Sequence, residues 1–75
     1  MKAFILIACE QSKVIQYAKS VATIKWVKNV EILWGEYDLI LTTSELGVHS
    51  MESHLKELEE MLDPKIKVKV LARVD

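Results

Sequence analysis

The stretch LWGEYDLIL, residues Leu33–Leu41, decides the fold. It places Gly35 and two acidic residues, Glu36 and Asp38, between two apolar runs. Apolar runs on either side of such a glycine-containing interruption are typical of a β-hairpin. We expect the turn at Gly35 and Glu36, or at Glu36 and Tyr37, with a strand on each side.

The two strands of this hairpin can be followed outward from the turn. NVEILWG alternates along the chain, and we expect Val30, Ile32 and Trp34 to share one face of a strand. YDLILTT follows the turn and is mostly apolar or β-branched, which predicts the second strand.

The segments before the hairpin predict a strand and then a helix. AFILIAC (Ala3–Cys9) is a short, continuous apolar run, which is typical of a strand buried on both faces. Apolar residues then recur at spacings of three and four, and Ser12 is a candidate N-cap. We therefore expect an amphipathic helix that ends near Ile24.

The segments after the hairpin predict the same pair of elements. Apolar residues return at helical spacing from Ser50, a second candidate N-cap, and Pro64 ends this helix. In the closing segment KIKVKVLARV, lysines alternate with apolar residues. This alternation predicts an edge strand that the lysines protect from unwanted pairing.

The order β-α-β-β-α-β predicts an α+β, ferredoxin-like sandwich, in which two helices cover one face of a four-stranded antiparallel sheet. The 75 residues form a single domain, 1–75. The first and third strands are apolar on both faces, yet two helices cover only one face. We therefore expect a homodimer in which sheet packs on sheet.

Composition argues against two classes of binding partner, nucleic acids and membranes, and indicates a cellular compartment. Ten basic and eleven acidic residues give a net charge of −1, which argues against direct nucleic-acid binding. No apolar run approaches the roughly 18 residues of a membrane span. Cys9 is the only cysteine, which fits a reducing compartment, and we expect a cytoplasmic protein.

The sequence contains no recognisable catalytic or metal-binding constellation. His49 and His54 are five residues apart and miss the i,i+4 spacing of helical metal ligands. Cys9 has no cysteine partner and is expected to be a small core residue. We expect no enzymatic activity, no metal and no cofactor. Glu36 and Asp38 could form an acid–base pair, or Asp38 could bond nearby backbone amides of the hairpin.

The segment VKNVEILWGEYDLIL resembles the ligand-sensing domain, or RAM domain, of the Lrp/AsnC family of feast/famine regulators. In that family a strand ends in the motif G-x-Y-D-[LI]. Here it is matched position by position by Gly35, Glu36, Tyr37, Asp38 and Leu39. MKAFILIACE is similar to the family's opening strand, and the resemblance covers essentially the whole chain.

The resemblance implies a function as well as a fold. The family's effectors are amino acids held where two dimers meet, so Gly35, Glu36, Tyr37 and Asp38 are the expected ligand-binding residues. Asp38 would meet the α-ammonium group, and backbone amides of the loop would receive the α-carboxylate. Family dimers assemble into rings, often octamers.

Full-length members of the family begin with a helix-turn-helix DNA-binding domain, whereas this chain begins directly at the first sensing strand. We therefore expect a stand-alone sensing and oligomerisation module that acts in transcription regulation through DNA-binding Lrp/AsnC relatives.

Two segments depart from the family pattern. The family's last strand usually follows a Pro-Gly-Val turn, but here the turn is DPKI, and the loop TTSELGVH before the second helix is long. Three alternatives therefore stay open. They are a purely structural assembly domain, an ACT-like regulatory domain, and a small dimeric α/β-barrel enzyme, for which the strands offer little beyond Tyr37.

Overall fold

The structure of this protein is a computed structural model that describes residues 2–45 and 47–73. Its elements are β1 (Ala3–Ala8), a 3-10 turn (Gln11–Lys13), α1 (Val14–Val21), β2 (Val27–Ile32), β3 (Leu39–Thr43), α2 (Val48–Met61) and β4 (Lys67–Ala72). The predicted β-α-β-β-α-β order and the ferredoxin-like fold are confirmed.

The four strands form one antiparallel sheet in the order β2-β3-β1-β4. The two most apolar strands, β1 and β3, are therefore central, and β2 and β4 are the edges. The prediction that the lysine-rich last strand lies at an edge is confirmed.

The helices cover one face of this sheet. Ile5 and Ile7 of β1 are fully buried there, as are Leu39 and Leu41 of β3. They belong to one core cluster with apolar residues of both helices: Val14, Tyr17, Val21, Met51 and Leu58. Alternate residues such as Leu6 point to the opposite face and stay partly exposed. The apolar residues of β1 therefore alternate between the core face and the open face of the sheet.

The hairpin loop is longer than predicted. β2 ends at Ile32, and the backbone N–H of Leu33 donates to the carbonyl of Asp38 at 2.8 Å, so four residues, 34–37, form the loop. The predicted two-residue turn is wrong. The alternating pattern predicts that Trp34 shares a strand face with Ile32, but Trp34 lies in the loop and is 98% exposed.

Both predicted helix caps are also wrong. Ser12 lies in the 3-10 turn and makes no capping bond, and α1 ends at Val21, three residues before Ile24. Gly47 is the N-cap of α2, so Ser50 lies in the first turn, where its hydroxyl donates to the Gly47 carbonyl. Leu46 of the preceding loop and Val74 of the predicted last strand lie outside the described residues.

The two faces of β1 give a direct test of this architecture. Ile5→Glu places a charge among the buried core residues, where an unpaired ion costs several kcal/mol, comparable with the total stability of a small domain. We expect this variant to lose its cooperative thermal transition in circular dichroism.

The neighbouring change Leu6→Glu is the matched control, because it places the same charge on the open face. This variant should keep the helical signal and a cooperative transition. If both variants melt alike, the assignment of the two faces is wrong.

Candidate functional site

The hairpin loop carries one residue that only glycine suits. Gly35 has a φ of 125°, a conformation that side chains with a Cβ rarely adopt. A Cβ built at this position would meet no atom within 4 Å, so the space around the glycine is open. The loop therefore needs Gly35 for its backbone conformation, and it leaves that backbone accessible to another molecule.

The Asp38 carboxylate joins the hairpin to the end of β1. Its Oδ2 accepts a hydrogen bond from the backbone N–H of Cys9 at 2.8 Å, and its Oδ1 accepts one from Nε2 of Gln11 at 2.8 Å. The backbone N–H of Asp38 donates to the Ile7 carbonyl, also at 2.8 Å. Asp38 thus holds the start of β3 against the end of β1 and the 3-10 turn that follows it, a region about 30 residues earlier in the chain.

This arrangement refines what the sequence predicts for Asp38. The carboxylate does bond a backbone amide, but the donor is Cys9, 29 residues earlier in the chain, and not an amide of the hairpin. Asp38 is only 7% exposed. Hydrogen bonds to an ionised acceptor contribute about 1.5–3 kcal/mol each, so Asp38 is a strong structural link.

A cavity of about 360 Å³ opens beside this link. Its walls come from the end of β1, the first turns that follow, the segment between α2 and β4, and Glu36 of the hairpin loop. The lining residues are Ala8, Cys9, Glu10, Lys13, Tyr17, Glu36, Asp63, Lys65, Ile66 and Lys67. This volume lies within the usual range of small-molecule sites.

The cavity lining carries balanced charge. It has three cations, Lys13, Lys65 and Lys67, and three carboxylates, Glu10, Glu36 and Asp63. Such a lining offers donors to an anionic group and acceptors to a cationic group of the same small molecule.

Two of these charges are already paired with each other. Nζ of Lys13 lies 3.5 Å from Oδ2 of Asp63, and Oδ1 of Asp63 accepts the backbone N–H of Lys65 at 2.8 Å. That backbone bond, followed by the charge of Lys13, lowers the pKa of Asp63. The pKa of Lys13 is raised, first by Tyr17 and then by Asp63. Glu36 of the hairpin loop and Lys67 of β4 also line the cavity and take no part in the ion pair between Lys13 and Asp63.

Cys9 lines the cavity, and its surroundings disfavour the thiolate. Burial raises the pKa of its thiol, and the nearby carboxylates of Asp38 and Glu10 raise it further. Because the thiolate is the reactive form, a raised pKa lowers the reactive fraction of this thiol at neutral pH. Cys9 packs against the core cluster, as predicted from its apolar neighbours.

The structure places the four predicted ligand residues unequally. Glu36 lines the cavity, whereas Asp38 is not a lining residue but accepts a bond from Cys9, which is one. Tyr37 is half-buried, and Gly35 is exposed at the loop. The lysines of the cavity were missed as site residues, because alternation in β4 explained Lys65 and Lys67 as protection of an edge. The signal that could have found them is the unusual turn DPKI.

His54 does not line this cavity. The ring of His54 stacks on Trp26, with ring centroids 4.8 Å apart and planes inclined by 11°, and Glu57 accepts a bond from the Trp26 indole at 3.4 Å. The side chain of His49 lies outside the described residues. Within the described part of the chain, no group of three or more His, Cys, Asp or Glu side chains is placed to hold a metal ion.

Comparison with solved structures identifies the fold. FFRP-DM1 aligns with a TM-score of 0.83 at 22% identity, over 97% of each chain. TTHA0845 from Thermus thermophilus aligns with a TM-score of 0.78 at 20% identity, over 99% of this chain and 95% of that one. An AsnC family transcriptional regulator from Agrobacterium tumefaciens aligns with a TM-score of 0.74 at 10% identity, over 97% of this chain and 50% of the regulator.

This chain has the fold of those proteins. The fold that the resemblance to the Lrp/AsnC family implies is therefore confirmed. No protein-family model matches the sequence, and a search of curated proteins gives no significant match. Neither α1 nor α2 has the length and apolar character needed to cross a membrane.

The link made by Asp38 can be tested by its removal. Asp38→Ala leaves the half-buried backbone N–H of Cys9 and the amide of the exposed Gln11 without their acceptor. Water can replace the acceptor of Gln11, but an unsatisfied donor that is partly shielded from water costs about 1 kcal/mol. We expect the variant to melt several degrees lower than the wild type in thermal denaturation.

The matched control for Asp38→Ala is Glu36→Ala, which removes an exposed carboxylate from the same loop. The free energy of unfolding of Glu36→Ala should lie within about 0.5 kcal/mol of that of the wild type. Equal melting of wild type and Asp38→Ala would contradict the structural role of Asp38.

Proposed function

We propose that this chain is a stand-alone, oligomeric amino-acid-sensing module of the Lrp/AsnC type that takes part in transcription regulation. The observation that carries the proposal is the cavity of about 360 Å³ with balanced charge, one wall of which is Glu36 of the G-x-Y-D loop. An amino acid is a zwitterion, and a site with both cations and carboxylates offers partners to both of its charged groups.

The charges of the cavity give each ligand group a partner. In this proposal, Lys67 and Lys65 receive the α-carboxylate, and Glu36 receives the α-ammonium group. Asp38 supports the site by holding the loop against β1, because its carboxylate is already bonded to Cys9 and Gln11. The ammonium contact that the resemblance implies for Asp38 is thus assigned to Glu36.

The remaining loop residues contribute to the ligand site where subunits pack against one another. The backbone of Gly35 stands in open space, and Tyr37 is half-buried beside it. A second dimer that packs on this loop would close the site from outside, so Gly35, Glu36, Tyr37 and Asp38 together form the wall that one subunit contributes. The ligand then lies at a dimer–dimer interface.

Two apolar surfaces support this assembly. The open face of the sheet exposes part of Phe4, Leu6 and Ile40, and we propose that a homodimer forms there, sheet on sheet. Trp34 and Ile32, at the hairpin end, are 98% and 52% exposed. Large exposed aromatic residues are enriched at interfaces, so we propose that this second surface joins dimers into a ring, an octamer or similar.

The partners of the module follow from the same reasoning. With a net charge of −1, the chain is proposed to reach DNA only through DNA-binding Lrp/AsnC relatives, without direct nucleic-acid contact. The single cysteine favours the cytoplasm. We propose no catalysis, because the sequence contains no recognisable catalytic constellation.

A purely structural assembly domain is the second candidate function. The observation that favours it is the pair of apolar surfaces, which would serve assembly whether or not the cavity is filled. Ligand binding therefore separates the two candidates.

Thermal shift with the twenty amino acids tests sensing. Ligand at about 100 times its dissociation constant stabilises by roughly 2.7 kcal/mol when only the folded state binds it, which raises the melting temperature by several degrees in a domain of this size. We expect at least one amino acid at millimolar concentration to produce this shift, and Glu36→Gln to reduce it strongly.

Glu59→Gln, an exposed change on α2 outside the cavity, is the control and should leave the ligand shift intact. If no amino acid shifts the wild type, the structural assembly domain becomes the better explanation. If Glu36→Gln and Lys67→Ala both retain the full shift, the ligand binds elsewhere.

Light scattering tests the two proposed interfaces separately. We expect the wild type at micromolar concentration to form a dimer or a multiple of it. Trp34→Ser should reduce larger rings to dimers, because it removes the exposed indole. Leu6→Glu should give monomers, because it puts an uncompensated charge in the centre of the sheet interface. A wild type that is monomeric throughout would contradict the proposed assembly.

A further inference from the structure

The register of the sheet aligns four residues in one row on its open face. Glu31 of β2 lies opposite Ile40 of β3, Ile40 lies opposite Leu6 of β1, and Leu6 lies opposite Lys69 of β4. Residues directly opposite each other in antiparallel strands share a face. The row therefore has an acid at one edge of the sheet, two apolar residues in the centre and a base at the other edge.

One neighbouring row is uncharged, and the other adds a base at the β4 edge. The next row runs Asn29–Thr42–Phe4–Leu71, and Lys67 lies opposite Ala8 on the far side of Lys69. The β4 edge of the open face is thus positive and its centre is apolar, whereas Glu31 makes the β2 edge negative. Lys69 forms no ion pair with residues in the described ranges 2–45 and 47–73.

Two orientations allow a second copy to cover this face with two-fold symmetry. An axis parallel to the strands exchanges the two edges, so each row meets its own reverse. Glu31 then lies over Lys69 of the second copy, and Leu6 lies over Ile40 of the second copy. An axis perpendicular to the strands places each edge over itself, so Glu31 faces Glu31 and Lys69 faces Lys69.

Charge distinguishes the two orientations. Opposite charges face each other twice with the parallel axis, and like charges face each other twice with the perpendicular axis. Juxtaposed like charges disfavour an interface, and complementary ones fix its register. Packed sheets lie about 10 Å apart, a gap that the long side chains of Glu and Lys bridge from both sides.

We propose that two copies of this chain pair through the open face about a two-fold axis parallel to the strands, with Glu31 of each copy bound to Lys69 of the other. The apolar centre, Leu6 against Ile40, supplies the contact, and the two ion pairs at its rim select the orientation. This inference rests on the homodimer of the proposed function and adds its geometry.

Charge-reversal variants test this geometry. The quantity compared is the dimer dissociation constant, determined by sedimentation equilibrium. Glu31→Lys and Lys69→Glu each turn two attractive pairs into two repulsive ones, and each should weaken the dimer roughly tenfold. The double variant Glu31→Lys/Lys69→Glu restores opposite charges and should recover wild-type affinity. Glu59→Lys, on exposed α2, is the control for reversal of an acid and should change nothing.

The salt dependence of the dimer's affinity provides an independent test of the orientation. Added salt screens rim charges, so it should weaken the wild-type dimer and strengthen the Glu31→Lys dimer. With the perpendicular axis, Glu31→Lys only replaces one like pair by another, and its affinity would equal that of the wild type. That equality would overturn the inference while leaving the sheet-on-sheet homodimer in place.

Cross-linking tests the same geometry without changing the sign of a charge. In a Cys9→Ala background, chains with Glu31→Cys and chains with Lys69→Cys are mixed with a short bismaleimide. Cross-linked dimers should form in the mixture and not from Glu31→Cys chains alone. Cross-linking of Glu31→Cys chains with each other would overturn the inference. A wild type that stays monomeric at every concentration removes the proposed homodimer itself.

Discussion

The bond between the Asp38 carboxylate and the backbone N–H of Cys9 is the contact on which the site depends. It ties the start of β3 to the residue that follows β1, and Gln11 brings the 3-10 turn to the same carboxylate. The cavity walls are built from the segments that this carboxylate joins, together with the turn before β4. An apolar side chain at position 38 could fill the same space, but it could not satisfy the two donors, which lie 29 and 27 residues away in the chain.

The second constraint is that the chain has too few helices to cover both faces of its sheet. Two helices cover one face of four strands, and the central strands carry apolar residues on both. The buried face makes the monomer's core, with Ile5, Ile7 and Leu41 fully enclosed. The other face leaves apolar residues partly exposed, and a second copy of the chain is the cover proposed above. The same alternation that specifies the core therefore specifies a surface for association, and the edge strands add charge to it.

Periodicity predicted the fold well, because it reports burial, and burial decides which element forms. The order of elements, the central place of AFILIAC and the edge position of the lysine-rich strand all followed from it. It failed where local hydrogen bonding decides, at the caps and at the hairpin loop, where Trp34 continued the alternating pattern of a strand that had already ended at Ile32. The cavity could not be predicted, because its charges meet only after residues from both ends of the chain come together.

Lys67 belongs to two environments at once. It lines the cavity, and it also stands on the open face of the sheet, opposite Ala8 at the positive edge. A carboxylate bound in the cavity would neutralise a charge at the positive edge of the proposed dimer surface, two residues from Lys69. Binding free energies coupled in this way are reciprocal, so whatever factor a ligand imposes on pairing of two copies, pairing imposes on the ligand's affinity. In such a protein the concentration of subunits and the concentration of effector would be sensed by the same ammonium group.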